Sequence, residues 1–296
     1  MTVAAIDTDV GATHPGRRSF LWMAALTALW VILNYWQPGI QASGVPNTAS
    51  RVSIHVLVAL GLWLGLEKTA LSMSQRRNVW LAVMVPCTLW LSVIWNMAIY
   101  GVFRPGSGLP LLPLTIFLPV IIGAPILLRS KRMGEVLDAM PASWLVALQV
   151  YRVLGAVFLV GWARGVVPGI FGLPAGIGDV ATGLLALPVA IALGSGSDDG
   201  RRAAIAWNIF GLADFAIALS IGLMIAQGVI VPSVANAATS VYPTVLIPAF
   251  AVPSSILLHA LSLRQLRRID KARRSYSAAA SRAAGSAVSG VREAAQ

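Results

Sequence analysis

Residues 203–225 read AAIAWNIFGLADFAIALSIGLMI, a run of 23 residues in which Asp214 is the one charged side chain. With a rise of about 1.5 Å per residue, a helix of this length crosses the roughly 30 Å of hydrocarbon in a lipid bilayer. A helix also satisfies its own backbone hydrogen bonds, which hydrocarbon requires. The run therefore predicts a membrane-spanning helix with a carboxylate near its middle.

The rest of the chain repeats this pattern. The 296 residues are 57% hydrophobic and only 11% charged, whereas soluble domains carry about 25% charged residues. We therefore predict an all-α integral membrane protein with about eight transmembrane helices. The predicted spans, numbered one to eight below, are 19–36, 52–72, 79–102, 109–129, 143–164, 174–193, 203–225 and 241–262.

The positions of the basic residues predict the orientation of these spans. Of the 22 Lys and Arg residues, 18 fall on the same side as the N-terminus, while Arg51, Arg104 and Arg164 fall on the other side and Arg152 lies within a span. Cytoplasmic loops carry an excess of Lys and Arg. We therefore predict a multi-pass protein of a bacterial-type inner (plasma) membrane, with both termini in the cytoplasm.

The net charge of +11 is concentrated in short loops and in the C-terminal tail. This distribution indicates membrane topology and argues against a nucleic-acid partner. We divide the chain into a disordered cytoplasmic tail (1–18), a transmembrane domain (19–262) and a basic cytoplasmic tail (263–296) that is disordered from about residue 276. Basic residues next to the membrane are expected to contact anionic lipid headgroups, each contributing about 1 kcal/mol. These residues are Arg264, Arg267, Arg268, Lys271 and Arg274.

Two pairs of similar segments suggest an internal duplication. Residues 115–119 and 244–248 both begin with Thr and end with Pro, and Asn96 and Asn208 each follow a Trp. Both pairs cross in the same direction in the predicted topology, so the chain could consist of two parallel four-helix halves, as in some transporters. Short matches also arise by chance among apolar helices, so the similarity leaves both possibilities open.

Charged residues within spans indicate the functional centre, because each costs about 2.5–3.5 kcal/mol to insert. Arg152, Asp179 and Asp214 lie on spans five, six and seven. Counted from the cytoplasmic ends, their depths are about 13, 21 and 16 Å. We predict that these three spans pack together, with Arg152 facing one or both carboxylates. The candidate ligand- or ion-binding residues are Gln149, Arg152, Asp179, Asn208 and Asp214.

Small residues share helix faces with these charges. On span five, an α-helical period aligns Gln149, Arg152 and Ala156, and on span six Asp179 shares a stripe with Gly183. Small residues allow membrane helices to approach closely. The faces therefore support packing of the polar groups toward one another.

Span six has two possible structures. The run Pro174-Ala175-Gly176-Ile177-Gly178-Asp179 is poorly suited to a continuous helix. A broken helix at membrane depth would line a cavity and expose Asp179 to a solute. Alternatively, span six is continuous and closely packed, and an arginine neutralises Asp179.

The sequence contains no glycine-rich nucleotide loop ending in Lys-Ser/Thr and no His-Glu-x-x-His motif. Cys87 is the one cysteine, and His55 and His259 are some 20 Å apart in predicted depth. We predict no metal site, no cofactor and no catalytic residue.

We expect a secondary transporter or permease for a small solute or ion. One alternative is a membrane-embedded lipid or isoprenoid enzyme, with Asp179 or Asp214 as general base and Arg152 holding a phosphate. The other is an accessory or structural membrane subunit, in which the polar groups serve helix packing.

Overall fold

The computed structural model describes residues 15–36, 45–104, 111–234 and 236–294. Most of the predicted N-terminal tail lies outside these residues. Where the chain is described, all of its regular structure is helical. The α-helices are α1 (Pro15–Trp36), α2 (Val45–Glu67), α3 (Met73–Ile99), α4 (Leu111–Arg129), α5 (Lys131–Ala139), α6 (Ser143–Ala147), α7 (Val157–Ala163), α8 (Gly169–Gly194), α9 (Asp198–Ala226) and α10 (Val252–Ala294).

Seven helical segments of the described chain are long and apolar enough to cross a membrane, and they correspond to predicted spans two to eight. The chain is therefore an all-α, multi-pass membrane protein. Helix α1 coincides with predicted span one and has 22 residues, but it is not one of these seven segments. It packs against α8. Its outward face is nevertheless apolar and exposed, at Leu21, Trp22, Leu26, Leu29, Ile32 and Leu33.

Span five is not a single α-helix. Between α6 and α7 the chain forms a nine-residue 3-10 helix from Leu148 to Ala156, whereas 3-10 helices rarely exceed about four residues. Residues three apart eclipse one another in a 3-10 helix, so Gln149, Arg152 and Gly155 form one row. The α-helical alignment of Ala156 with Gln149 and Arg152 is therefore wrong, because the local period is three.

Span six is one continuous helix, α8. Pro168 precedes its first turn, and Pro174 and Pro188 lie inside it without ending it. Prolines are tolerated in membrane helices where neighbouring helices satisfy the freed backbone groups. The broken-helix alternative is therefore wrong for this segment, and the departure from α-helical geometry lies in the preceding span.

Span eight begins irregularly and ends as a long helix. A 3-10 turn (Asn236–Ser240) and a π-helical turn (Ile247–Ala251) precede α10. Helix α10 then continues to Ala294, through the region for which the sequence predicts partial disorder.

Local sequence signals determine several helix ends. Ser72 caps α3 in a reciprocal pair with Gln75, and Ser130 and Ser197 accept from backbone amides at the starts of α5 and α9. Helices α3, α7 and α9 each end at a glycine with a φ near +70°, followed by the paired backbone hydrogen bonds of a Schellman motif. These glycines are Gly101, Gly165 and Gly228.

Helix α8 lies at the centre of the packing, in contact with α1, α9 and the 3-10 segment. Its approach to the 3-10 segment is very close, since a Cβ at Gly183 would lie 2.5 Å from the backbone nitrogen of Val153. Helix α10 packs against α4 and α9. Arg264 of α10 donates to the carbonyl oxygens of Leu127 and Ser130, both at 2.9 Å, which satisfies the end of α4.

The contact between α5 and α10 includes a bidentate ion pair. Arg268 Nε donates to Asp138 Oδ1 at 2.7 Å, and Arg268 Nη2 donates to Asp138 Oδ2. This hydrogen bonding from Arg268 lowers the pKa of the Asp138 carboxyl below its ordinary value. Both side chains are about half exposed, so solvent screens the pair.

We expect Asp138→Asn to lower the free energy of unfolding by about 0.5 kcal/mol at neutral pH. Because the folded-state pKa is lowered, this contribution is present above the ordinary pKa of about 4 and is lost as the pH falls through the folded value. Thermal unfolding of wild type and variant in detergent between pH 7 and pH 3 measures the difference. Asp199→Asn, at a 94% exposed side chain, is the control, and an equal difference at pH 3 would contradict the assignment.

Candidate functional site

Arg152 is the centre of a buried hydrogen-bond network, and its side chain is 1% exposed. Its Nε donates to Asp179 Oδ1 at 2.7 Å, and its Nη2 donates to Asp214 Oδ2. Its Nη1 lies 3.4 Å from the carbonyl oxygen of Gly211 and 3.2 Å from His259 Nε2. All three guanidinium nitrogens therefore have acceptors, which come from α8, α9 and α10.

The tautomer of His259 follows from its two neighbours. Arginine nitrogens only donate, so the Nε2 that faces Arg152 must be an acceptor. The ring proton therefore lies on Nδ1, which donates to Asn208 Oδ1 at 2.9 Å. Asn208 Nδ2 donates to the Ala204 carbonyl oxygen at 2.7 Å and to Ser262 Oγ at 3.1 Å, which orients its amide. His259 is thus a neutral ring that holds Arg152 from the α10 side.

Aromatic rings enclose the network. The guanidinium carbon of Arg152 lies 3.9 Å from the centroid of the Phe215 ring, which is a cation–π contact. The Trp207 ring lies 5.0 Å from the His259 ring, and Trp207 Nε1 donates to the Thr182 carbonyl oxygen at 3.0 Å. These rings cover Arg152 and His259 with apolar surface, and the lower local dielectric strengthens the ionic contacts.

Two glycines bring backbone against the carboxylates. A Cβ at Gly178 would lie 1.7 Å from Asp214 Oδ1, and a Cβ at Gly155 would lie 2.3 Å from Asp179 Oδ2. Neither distance is possible for a real side chain. The positions of both carboxylates therefore depend on the absence of a side chain on the facing helix.

Gln149 belongs to a neighbouring set of contacts that joins the 3-10 helix to α10. Gln149 is fully buried, and its Nε2 donates to the carbonyl oxygen of Ser255 at 3.2 Å. The hydroxyl of Tyr151 is hydrogen-bonded to Ser255 Oγ. Within the described chain, Gln149 Oε1 has no hydrogen-bond partner. Gln149 thus lies in the row of Arg152 without contacting its guanidinium.

A cavity of about 30 Å³ adjoins the network. This volume has room for about two water molecules. Asp179 is the carboxylate that lines it, beside the guanidinium of Arg152. Its walls also include Arg51, Tyr151, Phe215 and Ser255.

Arg51 is the least expected residue of this cavity. Span two was predicted to begin at residue 52, which placed Arg51 in a loop, but α2 begins at Val45 and includes it. Arg51 is 2% exposed. Its Nη1 donates to Ser50 Oγ at 2.6 Å, whereas its Nε and Nη2 have no hydrogen-bond partner among the described residues. The boundary error arose because a charged residue at the edge of an apolar run was assigned to solvent.

The structure brings four of the five predicted site residues into one network. Arg152 contacts both Asp179 and Asp214, as the depth arithmetic predicts, and Asn208 joins them through His259. Ligand binding at these residues stays a prediction.

Sequence reasoning missed His259, Arg51 and Phe215. The spacing of Ser255, His259 and Ser262 could have indicated His259, because polar residues at i, i+4 and i+7 share a helix face. Phe215 follows Asp214 directly in the sequence, but an aromatic residue in an apolar span gives no comparable signal of a functional site.

Asn96 and Asn208 occupy different environments. Asn96 is exposed and donates to the Ser92 carbonyl oxygen of its own helix, whereas Asn208 is fully buried. This pair therefore gives no support to the duplication, and the two-half arrangement stays a prediction.

The basic residues of the tail have two kinds of surroundings. Arg264 and Arg268 are engaged by α4 and α5, as described above. Arg267, Lys271 and Arg274 are exposed on α10. Contact of the tail with lipid headgroups stays a prediction.

The fold and the network together define a multi-pass helical membrane protein with a buried ionic centre. The family described as Domain of unknown function (DUF8737) matches residues 109–267, and the chain belongs to this family. The matched region contains Arg152, both aspartates and His259, whereas Arg51 precedes it. No curated protein and no solved structure matches the chain.

We expect Gly178→Ala to destabilise the protein by about 1–3 kcal/mol, because the added methyl group overlaps Asp214 and must displace it. Thermal unfolding in detergent measures the loss. Gly194→Ala on the same helix is the matched control, since a Cβ there meets nothing within 4 Å. Equal unfolding temperatures for the two variants would show that the backbone does not approach Asp214 so closely.

Proposed function

We propose that this protein is a secondary transporter or permease for a small solute or ion, and that the two aspartates on Arg152 form its proton site. The observation that carries the proposal is the charge of this centre. Two carboxylates share one guanidinium, so the group of three has an excess negative charge when both aspartates are ionised. Excess charge at membrane depth is strongly unfavourable, and a proton removes it.

The contacts support distinct roles for the three residues. Asp179 lines the cavity, so a proton or a solute in the cavity can reach it. Asp214 interacts with Asp179 through the shared guanidinium, so that the two titrate as a pair. The nitrogens of Arg152 are all engaged by protein acceptors, which supports a role as counter-ion and not as a ligand for the solute.

The long 3-10 helix supports a movable element at this position. It carries Arg152, which donates to the carboxylate of Asp179, and Gly155, whose missing side chain leaves room for that carboxylate. A stretch of 3-10 helix within a longer helix often marks a functional hinge. Protonation of an aspartate would weaken its attraction to Arg152 and so bias the geometry of this segment.

In this proposal α1 also crosses the membrane, which gives eight spans and places both termini in the cytoplasm of a bacterial-type inner membrane. The exposed apolar face of α1 and the excess of basic residues on one predicted side support it. The C-terminal tail is proposed to contact anionic lipid on that side.

A fusion of green fluorescent protein to the C-terminus should be fluorescent in bacterial cells, because that reporter folds in the cytoplasm. A fusion of alkaline phosphatase at the same position should be inactive, since that enzyme requires the oxidising side of the membrane. The opposite pair of results would place the tail outside and would leave α1 as a peripheral helix.

We expect Asp179→Asn and Asp214→Asn each to reduce proton-coupled uptake to below a tenth of the wild-type rate. Asparagine keeps the shape and can still accept from Arg152, while Arg152 and the remaining aspartate form a neutral pair without the excess negative charge that attracts a proton. Proteoliposomes that contain a pH-sensitive dye measure uptake across a panel of small ions and metabolites. Asp199→Asn, at an exposed surface position, should behave as wild type.

A packing role is the second candidate function, and the complete pairing of Arg152 favours it. A buried ion pair can serve only to fix helix register. Under that hypothesis both single Asn variants unfold at clearly lower temperature and no solute is taken up by wild type. Under the transport proposal they stay within about 1 kcal/mol of wild type, whereas Arg152→Gln loses about 3–5 kcal/mol because two carboxylates lose their cation.

A further inference from the structure

A buried arginine, Arg51, lines the cavity beside Asp179. Among the described residues, Arg51 has no ion pair, and its Nε and Nη2 have no hydrogen-bond partner. Buried cations in proteins are normally paired, because an unpaired charge in a low dielectric is strongly unfavourable. A ligand with a negative charge would remove this deficit.

The rest of the cavity suits a small anion. Tyr151 and Ser255 contribute hydroxyl groups that are hydrogen-bonded to each other, so one of the two keeps a proton that can be donated to an anion. The lining also includes the apolar side chains of Phe215 and Val252. With room for about two water molecules, the cavity admits only a small anion. A large metabolite such as a nucleotide does not fit.

We propose that this cavity is a binding site for a small monovalent anion, held by the guanidinium of Arg51 and by one hydroxyl group of the Tyr151–Ser255 pair. The inference rests on the proposed function, for which it names the substrate class. A guanidinium binds a carboxylate through two parallel N–H donors, so a small carboxylate such as formate is the best match. Chloride shares the charge and the size.

The charges of the cavity couple the anion to the proton. When both aspartates are ionised, the excess negative charge of the Arg152 group is offset by the charge of Arg51 only while no anion is bound there. A bound anion adds one negative charge, and a proton on the aspartate pair restores the balance and removes the repulsion between Asp179 and the anion. Anion and proton therefore bind better together than separately, which is the requirement for symport.

The titratable and charged groups that face the cavity or the aspartate pair lie on five helical elements. They are Arg51 on α2, Tyr151 and Arg152 on the 3-10 helix, Asp179 on α8, Asp214 on α9 and His259 on α10. Asp179 and Asp214 share the guanidinium of Arg152 and form the proposed proton site. Anion affinity is therefore assigned to the protonation of this pair.

The test is anion binding to the purified full-length protein in detergent, measured by isothermal titration calorimetry and by thermal unfolding. Sodium formate and sodium chloride are the probes, and sodium gluconate at equal ionic strength is the anion too large for the cavity. We expect formate and chloride to bind and to raise the unfolding temperature, whereas gluconate does neither. Equal effects of all three salts would overturn the site, since they would reflect ionic strength alone.

Variants locate the site. Arg51→Gln should weaken formate binding at least tenfold, and Arg51→Lys should retain weaker binding because it keeps the charge. Arg104→Gln, an exposed arginine with the same change in charge, is the matched control and should bind as wild type. Unchanged affinity in Arg51→Gln refutes the proposal. If that variant does not fold, unchanged affinity in both Arg51→Lys and Tyr151→Phe refutes it equally.

The pH dependence separates this inference from the proposed function. In wild type, chloride affinity should rise at least fivefold from pH 8 to pH 5.5, and in Asp214→Asn it should be independent of pH. Binding at Arg51 with normal uptake by both Asn variants would retain the anion site and refute the proton site. Uptake that requires the aspartates, without any binding at Arg51, would refute the anion site alone.

Discussion

The structure depends on one guanidinium buried among four helical segments. Arg152 cannot lie in hydrocarbon without acceptors, and it obtains them from α8, α9 and α10 at once. Each acceptor is in turn fixed: His259 by Asn208, and Asp214 by the bare backbone at Gly178. Removal of the Arg152 guanidinium would therefore leave two buried carboxylates without a cation, so the packing of these helices depends on it.

The same constraint explains the irregular backbone. A guanidinium needs its donors aimed at several helices in one plane, and the 3-10 geometry places Gln149, Arg152 and Gly155 in a single row. In this row Arg152 supplies the charge, and Gly155 leaves the space that the Asp179 carboxylate occupies. Helix α8 stays regular because its glycines already permit close approach. The glycine- and proline-rich span six is thus a continuous α-helix, whereas the neighbouring span five departs from α-helical geometry.

A closed network and an open cavity lie side by side in this centre. Arg152 has acceptors on every nitrogen, while Arg51, at a similar degree of burial, has two nitrogens without an acceptor in the part of the chain that the structure describes. The first arrangement favours a single stable geometry, and the second favours a ligand. Asp179 belongs to the network and also lines the cavity, so an anion in the cavity and a proton on Asp179 would affect each other through the same low-dielectric region.

The sequence by itself determined the fold class, most of the spans and the meeting of Arg152 with Asp179 and Asp214, because hydropathy, helix rise and the cost of buried charge are local quantities. Only the tertiary structure decided that α8 is continuous, that His259 accepts from Arg152 and that Arg51 is buried with two nitrogens that have no partner among the described residues. Those features depend on which faces of distant helices meet and on the residue at which a helix begins. A one-dimensional pattern of apolar and polar residues contains neither.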